Sequence, residues 1–152
     1  MKRNIRKVAV LGSGVMGSGI ACHMANVGCE VLLLDIVPKE AEGSDNKSER
    51  NALVNGALKA AMKSRPAPLY TKKFASRIVT GNMTDDMHKI ADCDWIIEVV
   101  VERLDIKKIV FENLYTGYQA KVYRYPPEVY NRDMIMYLDM FGYVYAKKKI
   151  SI

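Results

Sequence analysis

The chain has 152 residues, 49% of them hydrophobic and 26% charged, a size and mix that suit one folded domain and exclude a disordered or fibrous sequence. Its net charge of +6 arises from 23 basic and 17 acidic residues interleaved from end to end, so the excess does not gather into the basic stripe that a nucleic-acid groove needs. No apolar run reaches the length of a membrane span, and the basic start from Met1 to Lys7 leads into a stretch that glycines break at once, unlike an export signal.

Val8-Ala9-Val10-Leu11 is a short, unbroken apolar run, the pattern of a strand buried on both faces of a parallel sheet. From Val15 to Val27, Ile20, Met24 and Val27 recur near helical spacing, and Gly28 stands where a left-handed cap closes a helix. Val31-Leu32-Leu33-Leu34 follows after a very short connection, as in a tight β-α-β crossover, and Asp35 ends it. Charge and the group Gly43-Ser44-Asp45-Asn46 predict an exposed loop from Pro38 to Arg50. Ala52 to Ser64 has the apolar content of a helix, stopped by Pro66 and Pro68. Arg77 to Asn82 predicts a brief strand, and Thr84 to Ala91 a short helix with Thr84 as cap and Asp85 and Asp86 in its first turn. Asp94 to Val101 is the best strand of the second half, leading into a helical pattern through Ile106, Ile109, Val110 and Leu114.

After Asn113 the composition shifts, because eight of the nine tyrosines lie between Tyr115 and Tyr145. The chain thus divides into a domain at 1–112 and a divergent, tyrosine-rich tail at 113–152 that packs on it, with Lys121 to Tyr125 as a strand and Pro126-Pro127 opening a helix. Alternating strands and helices predict an α/β fold of Rossmann type, a doubly wound and mostly parallel sheet left incomplete on its C-terminal side.

The string Gly12-Ser13-Gly14-Val15-Met16-Gly17 leaves the first strand and opens the first helix, and an acid, Asp35, follows at the end of the second strand. That context turns a weak pattern into a dinucleotide-binding fingerprint. Gly12 permits the tight turn, Gly14 lets the backbone approach a pyrophosphate, and Gly17 lets helix and strand pack closely. The amides of Val15 and Met16 lie in the first helical turn, where unpaired N–H groups face an anion. A carboxylate at Asp35 accepts from ribose hydroxyls and repels a 2′-phosphate, which selects NAD over NADP.

These residues, from about Lys7 to Phe111, resemble the N-terminal domain of the 3-hydroxyacyl-CoA dehydrogenase family. The likeness rests on Val8 to Ala21, on Val31 to Asp35, and on Asp94 to Lys107, a block similar to that family's Ile-Glu-Ala-Val-x-Glu segment with a lysine five residues on. The resemblance implies that Val99, Glu102 and Lys107 lie beside the cofactor, that the substrate is an acyl-CoA, and that the reaction oxidises a 3-hydroxyacyl-CoA to the 3-ketoacyl-CoA in fatty acid β-oxidation. The helical domain that forms the dimer in that family is missing, and it is the eight tyrosines from Tyr115 onward that suggest a homo-oligomer interface. A catalytic histidine and an Ser-Asn-Thr-Ser-like segment are expected soon after Phe111, yet residues 112 to 152 contain no histidine, and their only asparagines are Asn113 and Asn131. The chain therefore reads as a truncated or rearranged relative that binds NAD without turnover, and no catalytic residue is assigned. His23 and His88 read as ordinary helical residues. Cys22, Cys29 and Cys93, an odd number with no Cys-x-x-Cys pair, read as buried apolar residues in a reducing cytoplasm, with neither a disulfide framework nor a metal site. Two other readings stay open: a non-catalytic dinucleotide-binding or oligomerisation module, and another NAD-dependent dehydrogenase of the same fold.

Overall fold

The computed structural model describes residues 4–100 and a strand at 144–146. Side chains of a strand alternate between faces, and in β1 (Lys7–Leu11) both sets are apolar, with Val8, Ala9, Val10 and Leu11 all fully buried. Such a strand has no solvent side and is stable only in the middle of a covered sheet. β1 occupies that place: β2 (Glu30–Asp35) and β4 (Trp95–Glu98) pair with it on either side, both parallel, and β3 (Ile78–Asn82) extends the sheet beyond β2. The order is β3-β2-β1-β4-β5. β5 (Val144–Ala146) runs antiparallel to β4, with Ile96 opposite Tyr145.

One face of the sheet gathers Val8, Val10, Val31, Leu33 and Ile97 against helices α1 (Val15–Asn26) and α3 (Ala52–Lys63), through Ala21, Cys22, Ala25, Val54 and Leu58. The small α1 residues allow the helix to sit close to the strands, and each fully buried Val or Leu contributes about 1.5–3 kcal/mol relative to exposure. The opposite face collects Ala9, Leu11, Leu34 and Ile96 with Met87 and Ile90 of a 3₁₀ turn at Met87–Asp92 and with Cys93, which follows it. Gly28, at φ +99°, ends α1 as its place in the sequence predicts.

Three elements differ from the sequence reading. The expected loop at Pro38 to Arg50 holds a 3₁₀ turn (Lys39–Ala41) and a one-turn helix, α2 (Lys47–Arg50), because the Asn46 side chain accepts from the Ser48 amide at 2.9 Å and caps it. No helix starts at Thr84. Asn82 Oδ1 takes the amides of Thr84 and Asp85, Asp85 turns to Arg50, and only the 3₁₀ turn at Met87–Asp92 follows. β4 stops at Glu98 rather than Val101, since the Glu98 carboxylate accepts from the Val100 amide at 2.8 Å and bends the chain away. The expected elements between Ile106 and Pro127 lie outside the described residues.

Candidate functional site

At the C-terminal end of β1 the chain must turn within a few residues and start α1. Gly12 does so at φ +105°, a left-handed value, and a Cβ there would stand 2.7 Å from the Val99 carbonyl oxygen. A Cβ on Gly17 would collide with the carbonyl oxygen of Gly12 and press on Val99 Cγ2 at 3.1 Å. Both positions must be glycine for the protein to pack. Gly14 is different: its φ is −52°, which any residue adopts, and a Cβ there would meet nothing within 4 Å. Its missing side chain serves no internal contact and leaves an open cradle in front of the turn.

The first bond of α1 runs from the Ser18 amide to the Gly14 carbonyl at 2.9 Å, so the amides of Val15, Met16 and Gly17 precede any intrahelical acceptor. Val15 is 95% exposed and Met16 is partly so. Neither side chain blocks the approach of a ligand to these N–H groups, where the positive end of the helix favours an anion. A diphosphate fits a cradle of this kind.

Asp35 stands across from the turn. The Gly12 amide still bonds to the Leu34 carbonyl at 2.7 Å, after which β1 and β2 part. Beyond that point Ser13 N–H donates to Asp35 Oδ2 at 2.8 Å, the Ser13 hydroxyl donates to the same oxygen, and Ile36 N–H donates to Oδ1 at 2.8 Å. Ser13 is buried, and its carbonyl accepts from Ser18 Oγ at 2.6 Å. The sequence reading assigned Asp35 but missed Ser13, whose variable place in the glycine motif offers no signal. Glu98, the acid that closes the otherwise apolar β4, is fully buried opposite Leu11.

Of the residues predicted for the site, Gly12, Gly14, Val15, Met16, Gly17, Asp35 and Val99 meet at one end of the sheet; Val99 is held there by its amide on the Leu11 carbonyl at 2.8 Å. Glu102 and Lys107 lie outside the described residues. An open groove of about 460 Å³ runs from Ser13, Gly14 and Val15 along α1 to Ala57, Ala61 and Pro68. His23 sits exposed in the last turn of α1, at the far end of that helix from the glycines, and His88 is exposed in the 3₁₀ turn. All three cysteines are buried and free, and burial raises the pKa of Cys22 and Cys29 above the usual thiol value. Among the described residues no cluster of His, Cys, Asp or Glu is arranged to hold a metal, and no helix is long and apolar enough to cross a membrane.

Residues 7–122 match the family model described as the NAD binding domain of 3-hydroxyacyl-CoA dehydrogenase. The chain belongs to that family. Its similarity to curated relatives is of the same kind: it is 53% identical over 119 residues to a probable 3-hydroxyacyl-CoA dehydrogenase of Bacillus subtilis, a match covering 73% of this chain and 15% of that one. A probable 3-hydroxyacyl-CoA dehydrogenase of Deinococcus radiodurans is 42% identical over 110 residues, 72% of this chain and 30% of the relative. The dehydrogenase part of multifunctional enzyme 1 from Caenorhabditis elegans superposes with a TM-score of 0.51 at 24% identity, over 75% of this chain and 24% of that one, a likeness of fold. The 3-hydroxyacyl-CoA dehydrogenase domain thus supplies a mostly parallel Rossmann-type sheet, and its cofactor is NAD. The chain spans less than a third of the length of either curated relative.

Proposed function

We propose that this chain is the cofactor-binding part of an enzyme that oxidises a 3-hydroxyacyl-CoA to the 3-ketoacyl-CoA. The observation that supports it best is the open cradle at Gly14, between two glycines the fold requires and opposite a carboxylate at Asp35. In this reading the amides of Val15, Met16 and Gly17 hold the diphosphate, Asp35 holds the adenosine ribose, and Val99, Glu102 and Lys107 lie beside the cofactor. When bound, the nicotinamide supplies the hydride acceptor. The residues named bind and orient the cofactor; none of them is assigned to the proton that leaves the substrate hydroxyl. An acyl-CoA substrate, a homo-oligomer and a cytoplasmic setting belong to the same reading, and three buried free cysteines suit a reducing compartment.

Calorimetric titration of the 152-residue chain with NAD and NADP tests the cofactor site. NAD should bind the more tightly, and Asp35→Arg should weaken NAD by about tenfold or more while relatively favouring NADP. Equal affinity of the parent chain for both cofactors would remove the role given to Asp35. Mixing the chain with NADH and acetoacetyl-CoA tests the substrate side: binding without turnover is expected, and steady NADH consumption would show that a proton-transferring group is present.

A further inference from the structure

A carboxylate offers about four lone-pair positions for donors. In Asp35 two of them, both on Oδ2, are taken by the amide and hydroxyl of Ser13, and one on Oδ1 is taken by the Ile36 amide. What remains is a single position on Oδ1. A ribose hydroxyl therefore finds one acceptor whose direction is fixed before the cofactor arrives, not a side chain free to turn about its Cβ–Cγ bond.

Ser13 is itself enclosed by the fold. It is 2% exposed, and its carbonyl is tied to the first turn of α1 by the Ser18 hydroxyl at 2.6 Å. One residue thus joins the diphosphate turn, through its main chain, to the ribose acid, through its side chain. A buried hydroxyl needs an acceptor, and the acceptor here is the carboxylate that the cofactor reading places on the ribose.

We propose that Ser13 is a positioning residue that sets cofactor selectivity by locking the Asp35 carboxylate. The inference rests on Asp35 being the ribose-recognising acid and adds to it a reason for discrimination. A mobile carboxylate swings away from a 2′-phosphate and relieves the repulsion between them; a carboxylate pinned by two Ser13 donors keeps its charge in place. The lock also spares NAD the entropy of ordering that side chain on binding.

The test is a double-mutant cycle on the full chain, with Ser13→Ala, Asp35→Ala and the double variant each titrated calorimetrically with NAD and NADP. The quantity read is the ratio of the two Kd values. A folding defect lowers the competent fraction equally for both cofactors and cancels in that ratio, so a purely structural role of Ser13 leaves it unmoved. Loss of one charge-assisted bond should narrow the preference for NAD by about three- to tenfold in the Asp35 background, and Ser13→Ala should change nothing once Asp35 is alanine. An unchanged ratio in both backgrounds overturns the proposal, and so does an equal narrowing in both, since Ser13 would then act on the cofactor without Asp35. Should the Asp35→Ala variants fail to fold, the ratio for Ser13→Ala alone still decides, with no change counting against the lock. Absence of any NAD binding to the parent chain defeats the cofactor site as well, whereas normal NAD binding with an unmoved ratio defeats only the role of Ser13.

Discussion

Two structures flank the C-terminal end of β2, and they satisfy their polar groups in opposite ways. On the β3 side, Arg50 holds Asp85 through two bonds of 2.7 Å and donates to the carbonyl of Glu42, while the Asn82 side chain donates to both Asp85 and Asn51. Arg50 and Asp85 are thus paired within the chain. On the β1 side, the amides at 15–17 precede the first helical bond, and the space before Gly14 is open. The closed side fastens α2 to the end of β3; the open side keeps donors for something outside. A fold can place a binding site next to its own fastening only by making one neighbour self-sufficient and leaving the other incomplete.

Substitutions that ignore this difference should have the largest effect. Gly17→Ala puts a Cβ onto the Gly12 carbonyl, a backbone atom that cannot yield without moving β1. A stability loss of about 3 kcal/mol or more is expected, read as a large fall in thermal midpoint; a variant as stable as the parent would show that the turn is looser than described. Gly14→Ala should do the reverse. Its Cβ meets nothing within 4 Å and its φ suits alanine, so the thermal midpoint should hold while NAD affinity falls by about tenfold or more as the methyl enters the diphosphate cradle. Parent-like NAD binding by Gly14→Ala would move the diphosphate elsewhere.

The smallest effect belongs to the closed side. Hydrogen bonds from Arg50, and then from Asn82, hold the Asp85 carboxyl at about 2, below its ordinary 3.8. A lowered folded-state value contributes stability that is complete above the ordinary pKa and is lost as pH falls through the folded one. Between pH 4 and 2 the parent should therefore lose a contribution that Asp85→Asn never had, so the gap between their denaturation midpoints should narrow. A constant gap over that window would mean that the ion pair contributes nothing to folding.

Much of the fold was legible in the chain itself. β1, α1, β2, α3 and β3 were placed within a residue or two because their signals are local: unbroken branched apolar runs, helical spacing, and glycine or proline at the ends. The elements depart from their sequence pattern where a side chain takes a backbone amide two or three residues on, as Asn82 does at Thr84 and Asp85, and as Glu98 does at Val100. Such bonds compete with helix and strand and leave no periodic trace.

The site divides in the same way. The sequence by itself determined that a glycine turn leads from a buried strand into a helix and that an acid follows the next strand, since these depend on residue type and order. Only the tertiary structure decided which atoms a Cβ at Gly12 or Gly17 would strike, that one at Gly14 would meet nothing, and that Ser13 grips Asp35 from 22 positions away. The reason is physical: a glycine's purpose depends on which atoms a missing Cβ would have met, and a hydroxyl's on which acceptor the fold brings within reach.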